Sequence, residues 1–164
     1  MTETAGIRTG LAMSRVPTPN LQFWLAKTLS IPIGGNVASF VALSFPHLLW
    51  VALIFASTAG VILLLWQFSQ RSLNVIIYWA TVFLINLTAN LSVACLAYLS
   101  MFPLVLLDII LLLSFMISIA IWSAGGHFSI SRINTVRTEI LYWFSMFTVF
   151  SLLATLLPAY STDL

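Results

Sequence analysis

The chain alternates long apolar runs with short polar breaks. Five runs predict helices at 21–45, 47–68, 73–99, 103–123 and 139–160, and each is long enough to cross a hydrocarbon core of about 30 Å at about 1.5 Å per residue. Proline at the first and third breaks between the runs, Pro46 and Pro103, favours the start of a new helix. The pattern predicts a flexible cytoplasmic tail at 1–20 and one five-helix domain at 21–164.

The composition places these helices in a lipid bilayer. Hydrophobic residues make up 61% of the chain and charged residues 6%, which leaves too little polar surface to coat a water-soluble particle. We therefore expect an all-α integral membrane protein with the lipid bilayer as its surroundings. A single cysteine, Cys95, excludes a disulfide within the chain, and the net charge of +2 gives no reason to expect a nucleic-acid partner.

The basic residues predict the orientation. If the five helices span, all of these residues fall on one side, with Lys27 extending its side chain towards that surface from early in helix one. They are Arg8, Arg15, Lys27, Arg71, Arg132 and Arg137. Because cytoplasmic loops are enriched in Lys and Arg, we expect the N-terminus in the cytoplasm and the C-terminus outside.

Helices one, three and five begin alike. Each carries an aromatic pair near its start. Ten residues after the first two tryptophans, and eleven after the third, stands a small residue followed by a second small or polar one. The pairs are Phe23 with Trp24, Tyr78 with Trp79 and Tyr142 with Trp143, and the later residues are Gly34 with Gly35, Ala89 with Asn90 and Ala154 with Thr155. This spacing indicates about two and a half two-helix repeats. Alternatively, the pairs are only interfacial anchors.

Several segments resemble a known family. The segment 133–143 (INTVRTEILYW), continued at 154–155, and the shorter segments 23–27 (FWLAK) and 78–82 (YWATV) are similar to bacterial membrane proteins built from tandem two-helix repeats, each with a tryptophan. The function of that family is uncharacterised. The resemblance implies a location in the bacterial inner membrane.

The chain departs from the family at its acidic positions. Where family members carry acids a few positions beyond the small residue, this chain has Ser39, Ala94 and Pro158. An ion-binding role based on those acids therefore does not carry over.

Polar residues within the predicted helices are the candidate functional residues. Asn36, Asn90 and Thr155 lie in the outer third of the bilayer when about 1.5 Å is counted for each residue, and Asp108 enters that zone from the other direction. One hypothesis is an outward-opening polar pocket in which Asp108 accepts hydrogen bonds or a cation. The alternative is that Asp108 pairs with Asn36 or Asn90 and holds helices together. Under either hypothesis we expect Asp108 to face protein, meeting helix one or three.

Helix one also has features of a discontinuous helix. Pro32 followed by Gly34 and Gly35 can break a helix and expose backbone groups to a substrate, although small residues also allow close helix packing. His47, at a helix end, is a possible ligand for a metal or a tetrapyrrole. The sequence provides no second ligand at a defined spacing, so it identifies neither a metal nor a cofactor.

The sequence contains no pattern of an enzyme. It lacks a nucleophile elbow, a histidine pair on one helix face and a phosphate-binding glycine loop, so we expect no catalytic residues. Two hypotheses remain. The chain is a non-catalytic membrane subunit that packs against other subunits or itself, or it is a small oligomeric transporter for an ion or small solute.

Overall fold

A computed structural model describes residues 16, 17, 19–70, 73–98, 103–124, 133 and 135–161. The described residues form five α-helices and a short 3₁₀-helix at Pro46–Leu48. The α-helices are α1 (Leu21–Ser44), α2 (Leu49–Ser69), α3 (Val75–Tyr98), α4 (Leu104–Ala124) and α5 (Val136–Ser161). The predicted all-helical class and the number of helices are confirmed for this part of the chain.

Asparagine side chains fix the starts of α1 and α3. The Asn20 side-chain oxygen accepts a hydrogen bond from the Phe23 amide at 2.8 Å. The Asn74 side-chain oxygen accepts from the amides of Ile76 and Ile77 at 3.1 and 3.2 Å. These bonds satisfy amide groups that a helix leaves free at its first turn, so α3 begins two residues later than predicted.

Two threonines fix the start of α5. The Thr135 hydroxyl accepts from the Thr138 amide at 3.2 Å, and the Thr138 hydroxyl accepts from the Thr135 amide at 3.3 Å. This reciprocal arrangement is a capping box with threonine in place of the usual glutamate. It places the helix start at Val136, three residues before the predicted one.

Helix α3 lies at the centre of the bundle. It packs against α1, α2 and α5, whereas α4 packs mainly against α5. The larger apolar cluster joins α1, α3 and α5 around Tyr78, Val82 and Phe150. A smaller cluster joins α1, α2 and α3 around Ala38, Leu49 and Leu91. Buried side chains are therefore concentrated on α3 and α5.

Four segments are long and apolar enough to cross a membrane: α2 with its preceding 3₁₀ turn, α3, α4 and α5. Large apolar side chains on α2 and α4 are exposed outward, such as Phe55 at 74% and Val105 at 70%. Such a surface suits lipid, because water-soluble chains rarely expose contiguous apolar patches of this extent. Helix α1 has 24 residues but is not among the four.

The end of the predicted N-terminal tail is packed. Val16 is buried in the larger apolar cluster, beside Phe23 and Ile133, which comes just before α5. This part of the tail therefore contacts the helical bundle, and the flexibility of the tail stays a prediction. Residues 1–15, to which that expectation mainly applies, lie outside the described part of the chain.

Candidate polar sites within the helical bundle

The aromatic pairs of α1, α3 and α5 meet at one end of the bundle. We call Phe23, Trp24, Tyr78, Trp79, Tyr142 and Trp143 the aromatic cluster. The Phe23 ring lies 6.2 Å from the Tyr78 ring, and the Tyr78 ring lies 5.4 Å from the Trp143 ring. The three helices therefore start at the same end, as the sequence pattern predicted.

Lys27 is buried within this aromatic cluster. Its side chain is 6% exposed, and its ammonium nitrogen donates a hydrogen bond to the Tyr142 hydroxyl at 2.5 Å. The same nitrogen lies 4.8 Å from the Phe23 ring centroid and 4.6 Å from that of Tyr142. The expectation that Lys27 reaches towards the surface is wrong, because these rings and the hydroxyl replace water around its charge.

A hydrogen-bonded chain continues from Lys27. The hydroxyls of Tyr142 and Tyr78 lie 2.5 Å apart, and both tyrosines are almost completely buried. Three helices thus contribute one polar group each to a continuous chain from Lys27 on α1, through Tyr142 on α5, to Tyr78 on α3. Because each of these groups is buried, removal of one leaves its neighbour without that hydrogen bond, and water does not reach the site to replace it.

A second buried polar pair joins α2 to α5. The Gln67 side-chain nitrogen donates to a Glu139 carboxylate oxygen at 2.9 Å, and Glu139 has no exposed surface. Glu139 lies in the first turn of α5, where the positive end of the helix dipole stabilises an acid. The pair connects two helices that otherwise face each other across a groove.

The α1 helix is continuous, so the predicted break at Pro32, Gly34 and Gly35 is wrong. Instead, the Asn86 side chain from α3 packs against Gly34 and donates hydrogen bonds to the backbone carbonyls of Ser30 and Ile31. A carbonyl oxygen has two lone pairs, so the Ser30 and Ile31 carbonyls can accept from Asn86 while they remain part of a continuous helix. The glycine allows this close approach.

Asn90 is the second amide on this face of α3. Its nitrogen donates to the Asn86 backbone carbonyl at 2.9 Å and to the Asn86 side-chain oxygen at 2.8 Å. A Cβ atom added at Gly35 would lie 3.5 Å from the Asn90 side-chain oxygen, an ordinary contact. Asn90 therefore orients Asn86, and it is not the partner of Asp108.

Asp108 contacts α5, whereas the sequence predicted a contact with α1 or α3. The Thr155 hydroxyl donates to the Asp108 carboxylate, and it lies 2.8 Å from the Leu152 carbonyl. The difference arises because α4 packs mainly on α5. Two of the four polar candidates, Asp108 and Thr155, are thus brought together, and Asn36 and Asn90 are not part of that pair.

Two other candidate residues face outward. Asn36 is exposed on α1, and His47 is exposed in the 3₁₀ turn before α2. Within the described residues, no group of three or more His, Cys, Asp or Glu side chains is placed to hold a metal ion. His47 thus has no described companion that would complete a metal site.

A lateral groove of about 330 Å³ opens between α2 and α5, with α3 beneath it. Its walls are apolar, and a Cβ atom added at Gly60 would lie 3.7 Å from the Leu84 Cβ atom of α3, an ordinary contact. The lining includes Gly60, Leu64, Ile85, Thr88, Phe144 and Phe147. Because the groove opens towards the apolar surroundings, it can accommodate an acyl chain or an apolar side chain of another helix.

Sequence analysis missed the buried roles of Lys27, Asn86 and Glu139, although the helical spacing held a signal for two of them. Lys27 shares a helix face with Phe23 and Gly34, and Glu139 shares one with Trp143 and Phe150 on α5. No such signal identified Asn86, because its role depends on where a neighbouring helix carries glycine.

No family model, curated protein or solved structure was found to match the chain. The fold and its polar contacts therefore define the class on their own: an all-helical protein of the membrane type, with polar side chains that bond across helix contacts.

Proposed function

We propose that this protein is a non-catalytic integral membrane subunit that packs within a larger membrane assembly or oligomer. The observation that carries this proposal is the hydrogen bond between Asp108 and Thr155. Through this bond Asp108, the principal candidate for ion binding, connects α4 to α5. Such contacts hold helices together in an apolar solvent, where a polar group gains from any partner it finds.

Other polar groups act in the same way. Ser118 on α4 bonds to Ser145 on α5, and Asn86 on α3 bonds to the backbone of α1. The lateral groove and the outer faces of the helices remain available for contacts with lipid or protein. This distribution supports a function that depends on the outer surface of the protein more than on an internal polar site.

The proposed topology has five spanning helices in a bacterial inner membrane, with the N-terminus in the cytoplasm and the C-terminus outside. The one-sided basic residues support it, and the burial of Lys27 leaves that argument intact because Lys27 still lies near the same end of the bundle. The loop arginines, Arg71 and Arg132, lie outside the described residues.

Reporter fusions test this topology. Fusions after Asn20, Gln70 and Asn134 are expected to report the cytoplasm, and fusions after Phe102 and Leu164 the opposite side. Two termini on the same side would exclude five spans.

We also propose that the bundle contains about two and a half two-helix repeats. Two equivalent contacts support this proposal. The Phe23 ring of α1 lies 5.9 Å from the Trp79 ring of α3, and the Tyr78 ring of α3 lies 5.4 Å from the Trp143 ring of α5. In addition, α2 packs on α3 as α4 packs on α5. Membership of the tryptophan-containing repeat family stays a prediction.

The alternative function is a small oligomeric transporter for an ion or small solute. The buried chain of Lys27, Tyr142 and Tyr78 favours it, because ionisable residues inside membrane bundles often belong to ion or proton pathways. In this case the oligomer would complete a pathway that five helices leave incomplete.

Asp108→Asn distinguishes the two functions. In a packing subunit, the amide oxygen still accepts from Thr155, so we expect a loss of less than about 1 kcal/mol in stability and an unchanged native mass in mild detergent. In a transporter that uses this carboxylate, the same change abolishes flux into liposomes and leaves assembly intact. Thr155→Val is the matched control, because it removes the donor and is expected to cost about 1–3 kcal/mol.

Purification in mild detergent followed by native mass measurement tests assembly directly. A defined complex heavier than the 18.2 kDa chain supports the packing function. A monomer that persists at high protein concentration and in lipid nanodiscs would contradict it.

A further inference from the structure

Three polar residues and a proline lie on the outer face of α1. Thr28, Pro32, Asn36 and Ser39 are all exposed, and their spacings of four, four and three residues place them on one side of the helix. The opposite side of α1 carries Lys27, Gly34 and Ala38 and is buried against the bundle. Thus α1 has a packed inner face, and its outer face carries these polar groups among exposed apolar side chains such as Leu25, Leu29 and Leu43.

Asn36 has the most hydrogen-bonding groups to satisfy among these residues. No hydrogen bond to its side chain is present among the described residues. It lies eight residues before the end of α1 at Ser44, or about 12 Å along the helix, which is within a hydrocarbon core of about 30 Å. A threonine or serine hydroxyl can bond to its own helix backbone, but an amide has two donors and an acceptor to satisfy.

The polar residues of α1, both exposed and buried, also explain why its composition differs from that of the four spanning segments. It is not among the four segments apolar enough to cross a membrane on composition, although its length is sufficient. Lys27 contributes to this but faces inward, whereas Thr28, Asn36 and Ser39 face outward. A helix with polar groups on its outer face is better solvated by protein than by acyl chains.

We propose that the outer face of α1 is the interface between two copies of this chain, with Asn36 of one copy bonded to Asn36 of the other. Two identically oriented membrane chains are related by a two-fold axis along the membrane normal. This axis places Asn36 of both copies at the same depth. An amide carries both donor and acceptor, so it is complementary to its own symmetry mate.

The charges are compatible with this pairing. The only charged residue of α1, Lys27, points into its own bundle, so the two outer faces meet without like-charge repulsion. This interface rests on the proposed packing function, and the partner in that function is then a second copy of the chain. Assembly through another surface would disprove this interface and leave that function standing.

Cross-linking tests the interface in the full-length protein in native membranes. In a Cys95→Ala background, Asn36→Cys is expected to form a disulfide-linked dimer on mild oxidation. Thr58→Cys is the matched control, because Thr58 is exposed on α2 about 13 Å from the outer end of that helix. Equal cross-linking at both positions would indicate random collision and overturn the proposal. Cross-linking of Asn36→Cys to a different polypeptide would overturn the identity of the partner.

A second measurement does not depend on cysteine chemistry. Asn36→Leu is expected to raise the dimer dissociation constant in mild detergent by about tenfold or more, whereas Asn36→Gln keeps an amide and Thr58→Leu leaves the interface intact. An unchanged dissociation constant for Asn36→Leu in an assembly that persists would overturn this interface alone. A protein that is monomeric in every form would overturn both the interface and the packing function.

Discussion

Tyr142→Phe is expected to destabilise the protein by about 2–4 kcal/mol, more than Lys27→Met does. The Tyr142 hydroxyl is the hydrogen-bond partner of the buried Lys27 ammonium and also contacts the Tyr78 hydroxyl. Its removal leaves a buried charge and a buried hydroxyl with no substitute from water. Lys27→Met removes the charge itself and keeps the two tyrosine hydroxyls together, so its expected cost is below about 1 kcal/mol.

Thermal unfolding in detergent, followed by circular dichroism, measures this difference. Tyr98→Phe is the control, since Tyr98 is 66% exposed at the end of α3 and its hydroxyl makes no comparable buried contact. The double variant Lys27→Met with Tyr142→Phe is expected to be more stable than Tyr142→Phe alone. Equal losses for the two single variants would show that the hydroxyl does not stabilise the ammonium.

Gly34→Ala is expected to lower stability by about 1–3 kcal/mol, while Gly35→Ala is expected to leave it unchanged or raise it by up to about 1 kcal/mol. A Cβ at Gly34 would lie 2.6 Å from the Asn86 side-chain nitrogen, whereas a Cβ at Gly35 would lie 3.5 Å from the Asn90 side-chain oxygen. Accommodation of the first methyl group requires the Asn86 amide to leave the Ser30 carbonyl, and Asn86 has no exposed surface.

The two adjacent glycines make this comparison well controlled, because helix propensity changes equally at both positions. Thermal unfolding of the two variants in the same detergent gives the difference directly. In Asn86→Ala protein, Gly34→Ala is expected to lose most of its effect, since the side chain that it strikes is gone. If Gly34→Ala still lowers the stability of the Asn86→Ala protein, the added methyl group clashes with a residue other than Asn86.

The long apolar runs were sufficient to predict five helices, because burial of backbone groups in lipid leaves few other structures possible. Helix starts were less predictable. The start of α5 depends on hydroxyls of Thr135 and Thr138, which resemble ordinary polar loop residues in the sequence. The hydrophobic pattern alone suggested a start at Glu139 instead.

The contacts of polar residues were predicted less well than the helices. Depth along a helix indicated which side chains lie at the same level, but not which way each helix faces. Asp108 was expected to meet Asn36 or Asn90, and it meets Thr155 because α4 packs on α5. Lys27 was expected at the surface because a long side chain can reach it, but the aromatic rings around its ammonium come from α1 and α5 and hold it inside.

The packing of α4 mainly against α5 bears on how the chain is made. Ribosomes deliver helices in order, so α4 enters the bilayer before its main neighbour exists. Its highly apolar sequence suits this interval, because it can remain in lipid without protein contacts. Once α5 has been synthesised, Ser118 with Ser145 and Asp108 with Thr155 join the two into a hairpin. The hairpin packs on α3 through α5, so truncation before α5 would remove the main neighbour of α4.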